Sequence, residues 1–525
     1  MAIPSIALIP SGYKASKLYS VLPTNGNADL TVVRNSTANR INKDGLIESM
    51  AVNVPLLDHS NGTCPSLLLQ PQSTNLITYP LSFGNSYWTK SGASIEGDAS
   101  TAGSEATTNG SFTGSATGWT LSSGITYSDN SLLCVSGTSA IQTGSLTIGK
   151  TYKVTVTISS YVSGIMRIKL GTSTSDTFAS TTTFQLYANG TNITIDGLAS
   201  ISANIDSISV KEVQGFSAPS VDNPTSAFKL VEDTSTGGHL IERSTSVTSG
   251  ATVTFSVFIK KGENNFCAIN SQASGQGYYF DLVNGVVLGV IGSAPNDYEI
   301  TPLANDWFKI SITATMPSTS SRFFVFNSKD GTSISYTGDG TSGVYIFGAQ
   351  LEQQSYPTSL MLPATEGSTT TRLKDEVSKT GLSAEINSVE GTLFVEVAAL
   401  ADDLTTRQFE LTSGDNTNYI RFEFASTTNL IYGIVKKISQ QAALSFTLAD
   451  STNFNKIAIK WKVNDFALWV NGVEVATDLN GAVPTGLNSL NFNGNGTNNI
   501  YANYNQLQVF KTALTDAELT ALTTI

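Results

Sequence analysis

The sequence predicts an all-β protein: several β-sandwich domains in tandem, one inserted into another, with an irregular segment at the N-terminus. Three observations point there. Charged residues are only 13% of the chain, so the polar surface is made of Ser, Thr, Asn, Gln and Gly, which suit strands and turns better than exposed helices. Apolar residues recur with period two over long stretches, the mark of strands with one buried face. The 525 residues exceed what one core holds, and roughly 100–200 residues per domain gives about three or four.

The charge balance narrows the function classes. With 41 acidic against 29 basic residues the formal charge is −12, and no Lys/Arg run exceeds two. Such a chain repels phosphate backbones, which excludes nucleic-acid binding, and it is disfavoured at anionic membranes. No apolar run is long enough to cross a bilayer. The start, MAIPSIALIPSGYK, has neither the basic nor the long apolar region of a signal peptide. A protein of extracellular composition without a signal is expected to be made in a bacterial cytoplasm and released by lysis. Cys64, Cys134 and Cys267 are odd in number and widely spaced, so they read as buried free thiols rather than a disulfide or zinc framework.

Residues 1–79 come first and are irregular. They hold a short strand at Leu30 to Val33, two arginines (Arg34, Arg40), a turn at Lys43-Asp44-Gly45 and the X-Pro segment Val54-Pro55-Leu56-Leu57-Asp58. A stretch like this makes no large core alone, so it reads as an attachment segment that packs on a partner. Cys64 to Lys90 is the joint: Leu67-Leu68-Leu69, a break at Gln70-Pro71-Gln72, then Asn75-Leu76 and the aromatics Phe83, Tyr87 and Trp88.

The combination from Arg34 to Lys90 resembles a pattern of tailed-phage head-fibre, tail-fibre and appendage proteins. Gly45-Leu46-Ile47-Glu48, Pro55-Leu56-Leu57-Asp58, the Leu67–Leu76 joint and Trp88-Thr89-Lys90 carry the likeness, with Gln70 where that family usually has Glu. The resemblance covers about 55 residues. It implies attachment to capsid or tail proteins through the N-terminal segment, a homotrimer, and localisation to the virion.

After Trp88 a sandwich opens and is interrupted. Residues 103–213 read as an independent jelly roll: Tyr152, Val154, Val156 and Ile158 alternate, as do Met166, Ile168 and Leu170, and the unit closes on Ile205 to Val210. Its Gly-Trp, Tyr-x-Val-x-Val and Ile-Asp-x-Ile-x-Val outline resembles jelly-roll carbohydrate-binding modules. The interrupted sandwich then resumes. Val253, Phe255, Val257 and Ile259 alternate, Asn284-Gly285 marks a hairpin, and Tyr345 to Leu351 also matches the phage pattern. The expected organisation is one discontinuous jelly roll, 80–102 plus 214–362, with 103–213 inserted at a polar loop, where extra chain costs little closure entropy.

Residues 363–383 read as a polar linker. Residues 384–525 form the last sandwich, with alternation at Leu393, Val395 and Val397, at Ile420, Phe422 and Phe424, and at Ile457, Ile459 and Trp461, then an Asn471-Gly472 hairpin. This order resembles concanavalin A-like, laminin-G-like domains. A capping box, Thr515 to Glu518, starts a terminal helix whose Leu514, Leu519 and Leu522 pack back.

Little in the sequence points to catalysis. His59 and His239 stand alone, with no metal-ligand spacing around them, and no GxSxG elbow, P-loop or dinucleotide fingerprint is present. Glu396 and Glu423 lie on strands of the last sandwich but not in a paired acid arrangement, so no catalytic residue is assigned. Sugar recognition needs aromatic platforms with amides or carboxylates beside them. Trp119, Tyr127 and Trp469 are the candidates for ligand contact. No cofactor or catalytic metal is assigned, and Asp206 is the candidate for a structural calcium. The expected function is a non-enzymatic virion protein whose sandwiches bind host or environmental glycans. The alternatives are a polysaccharide depolymerase, or a capsid decoration without ligand.

Overall fold

The computed structural model describes residues 2–135, 137–494 and 498–525. Nearly every regular element is a strand, and Asp516–Thr523 is the one α-helix among the described residues. Among the described residues, no helix is long and apolar enough to cross a membrane. The chain divides into two compact units. One is Met1–Asn75 with Glu352–Leu362 and Thr369–Ile525, and the other is Leu76–Leu351 with Pro363–Ser368.

The first unit is a two-sheet sandwich. One sheet runs in the order Val473–Asp478, Asp465–Val470, Asn455–Lys462, Glu390–Ala399, Ala502–Phe510, Ser66–Leu69, Leu56–Asp58, and Ile6–Leu8 also pairs with Ala502–Phe510. The other runs from Tyr13–Lys14 through Lys17–Leu18, Leu30–Val33, Glu376–Thr380, Ser489–Asn491, Arg407–Thr412, Asn418–Phe424 and Leu430–Lys437 to Ser439–Thr447. Alternation decides the faces: Phe409, Ile420, Phe422, Ile459, Trp461 and Leu468 point into the shared core. Asn471 and Gly472 both take positive φ (50° and 89°), which matches the right-handed twist of the strands they join.

This unit corrects two boundaries. Read from sequence, residues 1–79 stand apart, yet Ile6, Leu8, Leu30, Val32, Leu57, Leu67 and Leu69 are buried in the same core as the C-terminal strands. The apolar runs there are three or four residues long, too short for a core of their own, and they serve two different sheets, which is why the segment reads as irregular. Residues 363–383 are not a linker throughout either. Thr370–Arg372 pairs with Ser73–Asn75, and Glu376–Thr380 pairs with both Leu30–Val33 and Ser489–Asn491.

The second unit holds a host sandwich of two six-stranded sheets. One begins at Thr89–Ser91 and ends at the edge strand Val286–Gly292; the other begins at Ala93–Glu96, contains Gly343–Glu352 and ends at Asp297–Pro302. Phe83, Trp88, Phe255, Phe280, Phe323 and Ile346 share its core, so Trp88 and Ile346 lie in one sandwich. Between Ala93–Glu96 and Phe228–Glu232 the chain builds a further eight-stranded sheet with a separate core of Phe112, Leu132, Val154, Met166, Ile195 and Val210. Exit and return lie side by side: the Asp98 N–H donates to the Gln214 carbonyl (2.8 Å), and the Gln185 amide bonds both backbone groups of Gly97.

Two strands dominate this inserted module, Thr151–Leu170 and Ile193–Val213. They pair along nearly their whole length, with bulges near Ser159 and Ser163 and positive φ at Ser160, Gly164, Ala199 and Ser200. The bulges let the pair bend around its core.

Candidate functional site

The three aromatic residues singled out from sequence do not come together. Trp119 is buried against Phe112 (ring centroids 5.8 Å apart), and its Nε1 donates to the Thr108 carbonyl at 3.2 Å. It is a core residue, not a platform. Tyr127 is half-buried on the inward side of its strand and donates its hydroxyl to Asn130 Oδ1. Trp469 does face away from the main core, but it lies in a second cluster with Phe394, Phe510, Leu514 and Leu519, beneath the terminal helix. Its indole is therefore closed to a sugar ring.

The remaining chemical candidates are also structural. Glu396 and Glu423 stand on different sheets and do not face each other. Glu396 accepts from Asn505 and Gln506, and Glu423 accepts from Gln408, its carboxyl pushed up by burial. His239 is fully buried, with its ring nitrogens 2.5 Å from the Gly92 carbonyl and 3.1 Å from the Tyr336 carbonyl. Asp206 accepts from Ser159 Oγ at 2.7 Å, and no group of three or more His, Cys, Asp or Glu suited to a metal exists among the described residues. Cys134 and Cys267 are buried free thiols as expected, but Cys64 is exposed, which corrects the buried reading for that residue.

The surface best furnished for a ligand is the outward face of the inserted module. On Thr151–Leu170 the inward residues Val154 and Val156 alternate with outward Thr155, Thr157 and Ser159; on Ile193–Val213 inward Ile205, Ile208 and Val210 leave Asn204, Ser207 and Ser209 outward. The result is a ladder of hydroxyls. Thr155 Oγ1 lies 3.0 Å from Thr183 Oγ1, Ser207 Oγ donates to Thr157 Oγ1 at 3.0 Å, and Ser209 Oγ donates to Glu105 Oε2 at 2.6 Å. Burial pushes the Glu105 carboxyl up, but hydrogen bonds from Ser209, Val210 and Thr107 outweigh it and hold the group below the usual range. It stays an acceptor.

One end of this face is apolar. Two rungs cross three strands, Ser159–Asn204–Leu133 and Ser163–Ser202–Val135, with Tyr161 and Val162 on the bulge between them. Leu133, Val135, Tyr161 and Val162 are 37%, 40%, 47% and 75% exposed. The Tyr161 hydroxyl donates to the Gly164 carbonyl at 3.0 Å, which fixes the ring without covering it. An exposed ring, an amide and a row of hydroxyls on rigid strands meet the requirements for holding a polyhydroxylated ligand.

No family model and no curated protein matches the chain. Among solved structures, the N-terminal CBM22-1–CBM22-2 tandem domain of Xyn10C from Paenibacillus barcinonensis aligns at 13% identity over 49% of this chain and 99% of that one, with a TM-score of 0.19. A likeness this slight carries no argument about function.

Proposed function

We propose that this chain is a non-enzymatic structural protein of a tailed-phage virion, a head or tail fibre or appendage, that binds glycans through the outward face of its inserted module. The observation that carries the binding half is the hydroxyl ladder ending in exposed Tyr161, Leu133 and Val135. The virion half is supported by the resemblance of residues 34–90 to phage structural proteins. Strands from residues 1–75 are built into the same sheets as the C-terminal strands, so in this reading attachment is the work of that whole sandwich rather than of a detachable tail.

The test is a glycan array probed with the full chain on a multivalent support. Tyr161→Ala and Asn204→Ala are expected to weaken binding about tenfold each, the scale of losing one stacking or hydrogen-bonding partner. Trp469→Phe, buried elsewhere, is expected to leave binding unchanged. No glycan bound at high multivalency sinks the binding half. Release of reducing ends from a polysaccharide overturns the non-enzymatic reading.

A further inference from the structure

One row of the inserted module's outward face is basic. Lys153 on Thr151–Leu170 stands directly opposite Lys211 on Ile193–Val213, one row beyond Thr155 and Ser209. Both are half-buried and point outward, since Tyr152, Val154 and Val210 beside them lie in the module's core. The row continues to Gln185 on one flank and to Glu105 on the other.

Like charges directly opposite one another in a sheet are destabilising. Elsewhere strand cations meet acids: Lys229 faces Glu96, Arg167 faces Asp196, Arg421 faces Glu410 and Lys462 faces Glu390. Lys17, which also faces a lysine, Lys14, is relieved by Asp29 at 3.3 Å. Neither Lys153 nor Lys211 has an ion-pair partner among the described residues; Glu212, next in sequence, lies on the opposite side of its strand and binds Lys150 at 3.2 Å. The Glu105 carboxylate is held by Ser209, Val210 and Thr107, and Asp206, the other acid here, sits farther along the ladder against Ser159. Lysine often guards a sheet edge, but these two are interior. Lys153 has Gln185 and Lys211 as its neighbours, and Lys211 has Lys153 and Glu105.

We propose that this row holds the acidic group of an anionic polysaccharide, a carboxylate or a sulfate, whose hydroxyls lie along the Thr155–Ser209 and Thr157–Ser207 rows. The proposal rests on the glycan-binding reading of the same face and names the class of glycan. Directly opposite side chains leave their strands about 5 Å apart at Cβ, so two ammonium groups can bracket one anion, each with a charge-assisted hydrogen bond. Rows on one face are about 7 Å apart, which puts the first hydroxyls within reach of the same sugar or the next. A bound anion also removes the repulsion between the lysines, so the ligand offsets a cost that the free module carries.

Surface plasmon resonance of the full chain on immobilised polygalacturonate, dextran sulfate and dextran tests this, the two acidic polymers separating carboxylate from sulfate. At least one acidic polymer is expected to bind about tenfold or more tighter than dextran, the gain falling as salt rises. Lys153→Gln and Lys211→Gln are each expected to weaken that binding about tenfold, whereas Lys511→Gln, an exposed lysine outside the module, leaves it unchanged. Binding that depends on Tyr161 but on neither lysine, or that does not distinguish acidic from neutral polymers, overturns the proposal and leaves the glycan-binding reading standing. Equal losses from Lys511→Gln show unspecific charge attraction and overturn it too, and an absence of binding to any glycan overturns both. Denaturant unfolding without ligand gives an independent reading. Because the two lysines repel, Lys211→Gln is expected to unfold at the wild-type midpoint or above it, and a lower midpoint makes the lysine structural and overturns the proposal.

Discussion

Arg34 and Asp375, 341 residues apart in the chain, form a buried ion pair: Arg34 Nη1 lies 3.0 Å from Asp375 Oδ1, with side-chain exposures of 0% and 1%. The same guanidinium donates to the Ser36 and Ala51 carbonyls, and Asp375 Oδ2 accepts from the Gln70 backbone N–H at 2.9 Å. Arg372 Nη1 stands 3.6 Å from Asp375 Oδ2. Arg34 and Gln70 from the N-terminal part therefore meet Arg372 at one carboxylate, and Arg34 ties the Ser36 and Ala51 carbonyls to it.

Removing that carboxylate strands two buried guanidinium groups. Asp375→Ala is expected to cost about 3–5 kcal/mol, the usual penalty for breaking a buried pair from one side. Replacing both partners, as in Arg34→Met with Asp375→Leu, is expected to cost less than the sum of the singles by at least about 1 kcal/mol. Denaturant unfolding of the four proteins gives this coupling. A coupling of zero would mean that Asp375 acts only through its other neighbours.

Lys90 supplies a pH dependence. Its ammonium is mostly buried and donates to the Gly84 and Asn85 carbonyls at 3.1 and 3.2 Å, and burial pushes its pKa from 10.5 down to about 8. The folded chain therefore holds this proton less tightly than the unfolded chain. Between pH 8 and 10.5 the unfolded state binds more protons, so this residue's contribution to stability rises with pH across that window, by an amount on the order of 2–3 kcal/mol. The neutral amine keeps two N–H groups for the two carbonyls. Measured as wild type minus Lys90→Met, which cancels the other titrating groups, stability is expected to climb from pH 8 to 10.5. A flat difference refutes the assignment.

Strand positions were largely legible because each sheet has one apolar and one polar face. Val154 and Val156 against Thr155 and Thr157 announce their directions from sequence alone. Pairing partners were not. Nothing local to Ile6–Leu8 or Ser66–Leu69 says that both pair with Ala502–Phe510, since that register depends on strands more than 400 residues away. The candidate site was half legible for the same reason. The outward Thr and Ser residues follow from alternation, but Tyr161 sits where bulges break it, and so it gave no signal. Trp469 shows the converse: alternation places it correctly on the far side of its strand, but not the helix that covers it.

The thiols divide by burial. Desolvation pushes the Cys134 thiol up to about 12 and raises Cys267 further, while Cys64 is exposed. Thiolate is the reactive form, so a disulfide reagent at pH 8 is expected to label one thiol per native chain and three after denaturation. Mass mapping should place the native label on Cys64. Rapid native labelling of Cys134 would mean that the inserted module opens readily.

The terminal helix is expected to act as the lid over Trp469. Thr515 caps it reciprocally with Glu518, and Leu519, fully buried, anchors it in the cluster that holds the indole. Thr515→Ala removes only the cap and is expected to cost about 1 kcal/mol. Leu519→Ala leaves a cavity against Phe394 and Trp469 and is expected to cost about 2–4 kcal/mol. The indole Nε1 is buried without a hydrogen-bond partner, so it gains a solvent bond when the helix lifts, and that gain favours local opening. Leu519→Ala is therefore expected to increase acrylamide quenching and red-shift tryptophan emission before global unfolding. The same change in a Trp469→Phe background is expected to show no such shift, which separates this indole from the other four tryptophans. Identical quenching in both backgrounds would place the opening elsewhere in the chain.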